Sequence, residues 1–326
     1  MTKLVTIYGG AGFVGRYIAR RMANAGWRVR VTSRRPNEAT FVRPYGVVGQ
    51  VEPVFCNIRD DESVRAAMLG ADAVINCVGI LAPHGANSFA AVHDQGAARI
   101  ARIAAQSGVA RLVHLSAIGA DAQSPSTYAS TKAAGEAAVI AAFPGAVILR
   151  PSMIFGQEDG FFNRLAAMPG PIMPIVGGKS LFQPVYVDDV ARAAEMGAIG
   201  TAAPGVYELG GPDVRSLRAI TRDVLHETQR RKLVIDLPFW LANLAASILG
   251  LGQRLTFGLW RAGLTRDQIH NLRRDNVVSP DARGFADLGI VPTPYNVVIP
   301  DYLWPHRRSG QYAAINESAS RLRHQE

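Results

Sequence analysis

Gly9-Gly10-Ala11-Gly12-Phe13-Val14-Gly15 follows an apolar alternation over residues 3–8 and precedes apolar residues at helical spacing. A strand, a glycine turn and a helix in this order predict a phosphate-binding loop, because backbone N–H groups and the positive end of the helix dipole face an anion. Gly9 and Gly12 are expected to let the chain turn near the phosphates, and Gly15 to let the helix pack on the strand. We therefore predict a dinucleotide site whose first contacts are Gly9, Gly12, Phe13, Val14 and Gly15.

Strand and helix patterns alternate along the chain after this loop. Predicted strands at residues 28–32, 51–56, 73–78, 111–116 and 146–150 are separated by predicted helices at 61–69, 89–107 and 128–143. This order predicts an α/β fold, a Rossmann doubly wound parallel sheet with helices on both faces. After Pro151 the pattern is irregular and richer in Pro and Gly, which predicts a smaller, mostly helical domain. We expect residues 1–152 to form the dinucleotide-binding domain, with 183–212 returning to it, and residues 153–326 to form the smaller C-terminal domain and a partner-binding tail.

Composition limits the possible functions. With 326 residues, of which 48% are hydrophobic, the chain can bury a substantial core. The net charge of +9 comes from dispersed basic residues without a recognisable nucleic-acid module, so nucleic-acid binding is not expected. Cys56 and Cys77 fall in apolar stretches, which predicts buried thiols in a reducing compartment. The first residues enter a strand directly and no apolar run reaches about 20 residues, so neither a signal peptide nor a spanning helix is expected. No metal site is predicted.

The end of the second predicted strand discriminates between cofactors. An acid there accepts hydrogen bonds from the ribose 2′-OH of NAD, whereas arginine pairs with the 2′-phosphate of NADP. The chain has Thr32-Ser33-Arg34-Arg35 and no acid, which favours NADPH (NADP) over NAD. Further cofactor contacts are expected where the third and fourth strands end, at Asn57, Ile58, Cys77, Val78 and Gly79.

Tyr128 and Lys132 are four residues apart, on one face of a predicted helix. A lysine beside a tyrosine stabilises phenolate and can hold a cofactor ribose, so the pair suits proton transfer that accompanies hydride transfer. The spacing alone is common, and a surface helix that carries both residues by chance is the alternative.

The order of the motifs resembles that of extended short-chain dehydrogenases/reductases of the atypical group. The resemblance rests on the glycine loop, Tyr128 with Lys132, Leu149-Arg150-Pro151, Phe155-Gly156, Val185-Tyr186-Val187-Asp188-Asp189-Val190-Ala191 and Glu208-Leu209-Gly210-Gly211-Pro212. It implies cofactor contacts from Ser116, Tyr128, Lys132, Pro151, Ser152 and Ile154. Active members have a serine or threonine after the fifth strand, where our alignment places Ala117, and Ser116 substitutes only if the loop shifts by one residue. We therefore expect Tyr128, Lys132 and Ser116 to be a vestigial catalytic set.

Within that superfamily the chain is most similar to the nucleotide-binding accessory subunits of respiratory complex I, the NADH:ubiquinone oxidoreductase. The similarity is carried by Ser116-Ala117-Ile118-Gly119-Ala120-Asp121, Pro151-Ser152-Met153-Ile154-Phe155-Gly156, Leu264-Thr265-Arg266-Asp267-Gln268 and Leu288-Gly289-Ile290-Val291-Pro292-Thr293. It implies a tightly held NADPH with a structural or regulatory role, other complex I subunits as partners, and a peripheral position on the cytoplasmic face of the bacterial inner membrane, or the matrix side in mitochondria.

Residues 238–260 are apolar, carry tryptophans and have neighbouring arginines, which suits a membrane interface or a partner subunit as well as a buried core helix. Two functions remain open on the sequence. The first is a non-catalytic subunit of a membrane enzyme, and the second is a free NADP-dependent reductase or epimerase acting on a sugar nucleotide or a similar substrate. The absence of a hydroxyl at Ala117 favours the first, and the intact Tyr128 and Lys132 favour the second.

Overall fold

The computed structural model describes residues 2–245, 247, 265–307 and 310. Its strands are, in chain order, β1 (Leu4–Tyr8), β2 (Arg28–Ser33), β3 (Val51–Phe55), β4 (Ala73–Asn76), β5 (Arg111–Leu115), β6 (Val147–Pro151), β7 (Ile154–Phe155), β8 (Ile172–Val176), β9 (Leu181–Phe182), β10 (Val185–Tyr186), β11 (Gly205–Leu209), β12 (Arg215–Ser216) and β13 (Leu233–Leu237). Its α-helices are α1 (Phe13–Asn24), α2 (Asp61–Met68), α3 (Gln95–Gln106), α4 (Thr127–Ala142), α5 (Phe162–Ala167), α6 (Val187–Ile199), α7 (Leu217–Glu227), α8 (Arg266–Asn271) and α9 (Tyr295–Leu303).

Among the described residues, seven strands form one parallel sheet in the order β11-β6-β5-β4-β1-β2-β3. Strands buried on both faces need near-continuous apolar sequence, and β4 is buried at every position. The strand order reverses at β1, which pairs with β2 on one side and with β4 on the other. Ligands of such sheets bind beyond the carboxyl ends of the strands at this reversal. The predicted fold class, a Rossmann doubly wound sheet, is confirmed.

Helices α2, α3 and α4 cover one face of this sheet. Their apolar residues pack on Tyr8, Val74, Leu112 and Ile148 in a single core cluster. The polar groups that β1 directs toward this cluster are satisfied, because the Tyr8 hydroxyl donates to the Val64 carbonyl at 2.7 Å and the Thr6 hydroxyl donates to the Ala67 carbonyl at 3.0 Å. The sheet that carries the glycine loop is therefore packed firmly on this face by the three helices.

Two local elements differ from the sequence prediction. The predicted helix at 89–107 begins with a π-helical segment, Ala90–Asp94, before α3 continues it. A 3₁₀-helix, Pro36–Tyr45, follows β2 where no element was predicted. Proline begins this segment and a second proline lies inside it, which a regular α-helix does not tolerate.

The described part of the chain divides into two compact units. The first contains residues 1–152, 187–210 and 277–292, and the second contains residues 153–186, 211–276 and 293–326. The expectation that 183–212 returns to the nucleotide domain is therefore too wide. Strand β11 joins the large sheet beside β6, but β10 pairs in parallel with β7 inside the second unit, where the Val185 N–H donates to the Met153 carbonyl at 2.9 Å.

Residues 277–292 also depart from the expected division, because they belong to the first unit. This segment runs along β11, the edge strand of the sheet. The Glu208 N–H donates to the Arg283 carbonyl at 2.8 Å, and the Ser279 N–H donates to the Glu208 carboxylate at 2.8 Å. The backbone N–H and the carboxylate of Glu208 on the edge strand are thus both paired by a segment that follows it by some seventy positions in the chain.

The second unit has its own core, built around Phe155, Phe162, Ile220 and Tyr295. Asp159 fixes the start of α5, since its carboxylate accepts the backbone N–H groups of Phe161 and Phe162. No helix among the described residues is long and apolar enough to cross a membrane. Of the predicted interfacial stretch 238–260, residues 239–245 are helical, and residue 246 and residues 248–260 lie outside the described residues, as does the tail from 309 except Gly310.

Candidate functional site

A cleft opens in the first unit where β1, β2, β3 and β4 end. It is lined by residues of four loops: Gly9, Ala11, Gly12, Thr32, Ser33, Arg34, Cys56, Asn57, Ile58, Cys77, Val78, Gly79, Ile80, Asn87 and Val92. This is the position at which the strand order reverses, where a dinucleotide binds in folds of this type.

The glycine loop forms the base of the cleft. Gly9 has a φ of +75°, which favours glycine, and the Gly12 N–H donates to the Gly9 carbonyl at 2.9 Å to close the turn. A side chain at Gly15 would place Cβ only 2.4 Å from the Gly9 carbonyl oxygen, so α1 could not approach the loop as closely. Helix α1 has neither an acidic residue in its first turn nor a side-chain cap from any described residue. The first N–H groups of α1, which follow the cleft-lining Gly12, are therefore available to an anion.

The end of β2 provides the cationic side of the cleft. Ser33 and Arg34 line it, and Arg34 makes no ion pair with any residue that the structure describes. Arg35 does not line the cleft, because its guanidinium pairs with Glu38 at 3.1 Å on the exposed surface. Two arginines that are adjacent in sequence therefore differ in their access to a ligand.

Lys132 lies behind the opposite wall of the cleft. Its side chain is 5% exposed, and Nζ donates to the Leu115 carbonyl at 3.0 Å. Burial lowers the pKa of Lys132 to about 8, although the nearby Glu136 carboxylate opposes the shift. Gly79 separates Lys132 from the cleft, and a Cβ on Gly79 would stand 3.6 Å from Lys132 Nζ.

His93 joins the cleft wall to helix α4. Its Nε2 accepts the Ile80 N–H at 3.0 Å, so the proton of the neutral ring is assigned to Nδ1, which faces Thr131 Oγ1 at 3.3 Å. Burial, together with the charge of Lys132, lowers the pKa of His93 to about 3. A neutral imidazole therefore holds the backbone next to Gly79 in place. Sequence reasoning did not identify His93, whose partners are distant in sequence.

The other predicted catalytic residues do not line the cleft. The Tyr128 ring packs edge-on against His93 at 5.2 Å and Phe89 at 5.9 Å between centroids. Ser116 is 5% exposed, and its Oγ has no hydrogen-bond partner among the described residues. Ala117 follows it and has no hydroxyl. The structure thus brings Tyr128 to His93, but it leaves Ser116 in the interior.

Of the predicted cofactor contacts, nine line the cleft: Gly9, Gly12, Ser33, Arg34, Asn57, Ile58, Cys77, Val78 and Gly79. Those of the first unit that do not line it are Phe13, Val14, Gly15, Arg35, Ser116, Tyr128, Lys132, Pro151 and Ser152. Ile154 belongs to the second unit. The lining residues that sequence reasoning missed are Ala11, Thr32, Cys56, Ile80, Asn87 and Val92, most of which adjoin residues that it did identify.

Both cysteines border the cleft as free thiols. Burial raises the pKa of Cys56 to about 11 and that of Cys77 to about 12. A nucleophilic cysteine needs a lowered pKa, so neither thiol is activated.

Comparison with known proteins gives matches along the whole chain. The model of the NAD dependent epimerase/dehydratase family matches residues 5–210. The mitochondrial NADH dehydrogenase (ubiquinone) 1 alpha subcomplex subunit 9 of Arabidopsis thaliana is 34% identical, over 94% of this chain and 79% of that protein. A ceramide reductase of Caulobacter vibrioides is 32% identical, over 82% of this chain and 84% of its own. The dTDP-glucose 4,6-dehydratase DesIV of Streptomyces venezuelae, solved with NAD bound, shares the fold with a TM-score of 0.68 at 19% identity, over 96% of this chain and 99% of its own.

Proposed function

The chain belongs to the NAD dependent epimerase/dehydratase family, and from that premise we propose that it is a dinucleotide-holding accessory subunit of respiratory complex I, the NADH:ubiquinone oxidoreductase. One observation carries the proposal. The family match ends at residue 210, but the similarity to the Arabidopsis NADH dehydrogenase subunit extends over 94% of the chain and so includes most of the second unit. A shared cofactor domain alone would not produce similarity there.

The site supports a structural or regulatory role for the nucleotide rather than turnover. A short-chain reductase polarises the substrate carbonyl with a hydroxyl beside the cofactor. Here the Ser116 hydroxyl is buried away from the cleft and Ala117 has none. Loss of such a donor removes about 3 kcal/mol of transition-state stabilisation.

Co-purification tests the proposal. A tagged chain is expressed in its native host and extracted from membranes with a mild detergent. We expect the core subunits of complex I and NADH:ubiquinone reductase activity to co-purify with it, from the cytoplasmic face of a bacterial inner membrane or the matrix side of a mitochondrial one. Recovery of the chain alone, without those subunits, would contradict the proposal.

We further propose that the bound nucleotide is NADP(H). Arg34 lines the cleft at the end of β2 without an ion-pair partner among the described residues, and no acid occupies the position that would bind a ribose 2′-OH. A guanidinium without a partner suits the dianionic 2′-phosphate, with which it forms charge-assisted hydrogen bonds. The nucleotide released by denaturation and identified by mass spectrometry is expected to carry the 2′-phosphate.

Arg34→Ala tests this contact, and Arg35→Ala is its matched control. Hydrogen bonds to charged groups contribute about 1.5–3 kcal/mol, so Arg34→Ala should weaken NADPH by about 10- to 150-fold and leave NADH almost unchanged. Arg35→Ala should alter neither affinity by more than about twofold, because Arg35 pairs with Glu38 outside the cleft. Equal losses for NADPH and NADH in the Arg34 variant would refute the 2′-phosphate contact.

A free NADP-dependent reductase is the second candidate. It is favoured by the intact Tyr128 and Lys132 and by the 32% identity to a ceramide reductase. Single-turnover mixing of the NADPH-loaded chain with long-chain and sugar-nucleotide carbonyl compounds distinguishes the two. Absence of NADPH oxidation is expected from the accessory subunit, and oxidation at a catalytic rate would favour the reductase.

A further inference from the structure

A basic groove lies in the second unit, at the end of α7 and the start of β13. Its basic side chains are Arg222, His226, Arg230, Arg231 and Lys232. Five basic residues in one groove are unusual for a surface that contacts only water, because like charges repel one another. Neighbouring acids do not neutralise them. Within the described residues, α7 contributes Asp223 and Glu227, whose carboxylates bind Arg215 with Tyr295 and Arg307 respectively.

Two of the groove cations are anchored by carbonyls. Arg230 Nε donates to the His306 carbonyl at 2.9 Å, and Lys232 Nζ donates to the Met168 carbonyl. Arg222 and Arg231 are exposed and make no ion pair with any residue of the described ranges. The basic groups are close enough to affect one another, because the pKa of Lys232 is lowered mainly by burial and also by the charge of Arg230. The groove therefore presents uncompensated positive charge to solvent.

An exposed aliphatic face adjoins the groove. Strands β8 and β13 pair in parallel, with Leu233 opposite Ile172 and Ile235 opposite Pro174. Alternate residues of β8 are buried in the core of the second unit, so these partners form the outer face. Leu233 is 64% exposed, Ile172 49% and Ile235 38%, and Leu233 also lines the basic groove. The charged groove and the aliphatic face are therefore continuous.

Trp240 is a further exposed apolar residue, three positions after the end of β13 in the chain. Its side chain is 68% exposed, and it lies on the helical segment 239–245, whose Ala242 packs inward. Exposed aliphatic residues, a tryptophan and flanking arginines are the combination found at membrane interfaces, where aliphatic groups enter the acyl boundary and basic groups bind headgroup phosphates.

We propose that the groove of Arg222, Arg231 and Lys232, with the aliphatic face of Leu233, Ile235 and Ile172, is a docking surface for a bilayer rich in anionic phospholipid. An acidic protein segment would match the charge but would leave the aliphatic face exposed to water. The biological setting rests on the proposed function, since a subunit of a membrane enzyme meets a bilayer from one side.

Vesicle co-sedimentation of the full, nucleotide-loaded chain tests the surface. The probes are vesicles of phosphatidylcholine alone and of phosphatidylcholine mixed with phosphatidylglycerol. Each basic residue near an anionic surface contributes about 1 kcal/mol, or about fivefold in partitioning. We therefore expect Arg222→Gln and Arg231→Gln each to weaken binding to the anionic vesicles about fivefold, and the double variant about 25-fold. The double variant Leu233→Ser/Ile235→Ser should weaken vesicle binding at every salt concentration, because the contribution of the aliphatic side chains is not electrostatic.

Arg192→Gln is the matched control, since Arg192 is an exposed arginine of α6 in the first unit. It should bind vesicles as the wild type does. Full retention of nucleotide and of the circular dichroism spectrum identifies variants that have folded. Unchanged binding by the folded Arg222→Gln/Arg231→Gln variant, or equal wild-type binding to neutral and anionic vesicles, would overturn the proposal. So would release of the bound chain by inorganic phosphate but not by chloride at equal ionic strength, because that result indicates a phosphate pocket.

The outcomes separate this inference from the proposed function. If the chain co-purifies with complex I subunits but does not bind anionic vesicles, the proposed function is supported and the docking surface is contradicted. If the chain binds vesicles through the groove but purifies without those subunits, the docking surface is supported and the assignment to complex I is contradicted.

Discussion

Lys132 carries a buried ammonium group, and we expect Lys132→Met to stabilise the fold near neutral pH. Burial lowers the pKa of Lys132 from 10.5 to about 8, and each pKa unit corresponds to about 1.4 kcal/mol. Keeping the side chain charged near pH 7 thus costs about 3 kcal/mol. Methionine has a similar length and carries no charge, so the substitution removes this cost. It also removes the hydrogen bond to the Leu115 carbonyl, which lowers the expected stabilisation by about 1 kcal/mol. The net stabilisation expected is about 2 kcal/mol.

The pH dependence identifies the cause of this gain. Between about pH 8 and 10.5 the folded protein has released the Lys132 proton and the unfolded chain retains it, so the free energy of unfolding of the wild type should rise with pH in this window. The Lys132→Met variant lacks this rise, so its advantage should fall through zero in this window and become a disadvantage of about 1 kcal/mol above pH 10.5, where only the lost hydrogen bond to Leu115 remains. Cys56, whose pKa does not depend on Lys132, titrates alike in both proteins and cancels in the comparison.

Urea unfolding near pH 7 and near pH 10 measures both quantities. Lys179→Met is the control, because Lys179 is an exposed lysine of the second unit and its removal should change stability by less than about 0.5 kcal/mol at either pH. A variant less stable than the wild type by the same amount at both pH values would refute the reasoning. If Lys132 also holds the cofactor ribose, the stabilised variant should bind the nucleotide more weakly.

Two further changes test the cleft itself. Gly15→Ala should destabilise the protein by about 1–3 kcal/mol and release the nucleotide, because its Cβ would meet the Gly9 carbonyl at 2.4 Å. The control Gly145→Ala should be nearly neutral in thermal unfolding, because its Cβ would meet only the Phe143 ring, at an ordinary van der Waals distance of 3.7 Å. His93→Phe should cost about 1–3 kcal/mol by leaving the Ile80 N–H unpaired, and His93→Gln should recover part of that loss. Since the pKa of His93 falls from 6.5 to about 3 on folding, the wild-type free energy of unfolding should decline as the pH drops below 6.5, and His93→Gln should show a shallower decline in acid titrations. Identical stabilities for His93→Phe and the wild type would exclude the bridging role.

The main features of the nucleotide domain were predictable from sequence because they depend on local patterns. The glycines after β1 require a turn wherever they occur, and alternating strands and helices of this length form a parallel sheet. The π-helical start at Ala90–Asp94 was not predictable, since one extra residue in a turn leaves little trace in an apolar pattern. Nor could the sequence distinguish Arg34 from Arg35, because the choice depends on the local path of the backbone and on Glu38 as a competing partner.

His93 illustrates a second limit. Its imidazole contacts Ile80, thirteen residues before it, and Thr131, thirty-eight residues after it. No periodicity links positions at these separations, so only the folded sheet reveals that they meet. The return of 277–292 to the first unit escapes prediction for the same reason, because the segment bonds to Glu208 of β11 through the Arg283 carbonyl and the Ser279 N–H without forming a strand of the large sheet.

That returning segment affects how the protein is made. A ribosome synthesises the chain from its N-terminus, and domains ordinarily fold as soon as they have emerged. The nucleotide domain cannot complete its outer edge at that point, because the Glu208 N–H of β11 has no carbonyl from Arg283 until that residue has also left the exit tunnel. A nascent chain that stalls before residue 277 exposes an unpaired edge, the kind of surface on which chains aggregate. Translation therefore has to continue at least to Arg283, some seventy residues past β11, before this edge of the domain is complete.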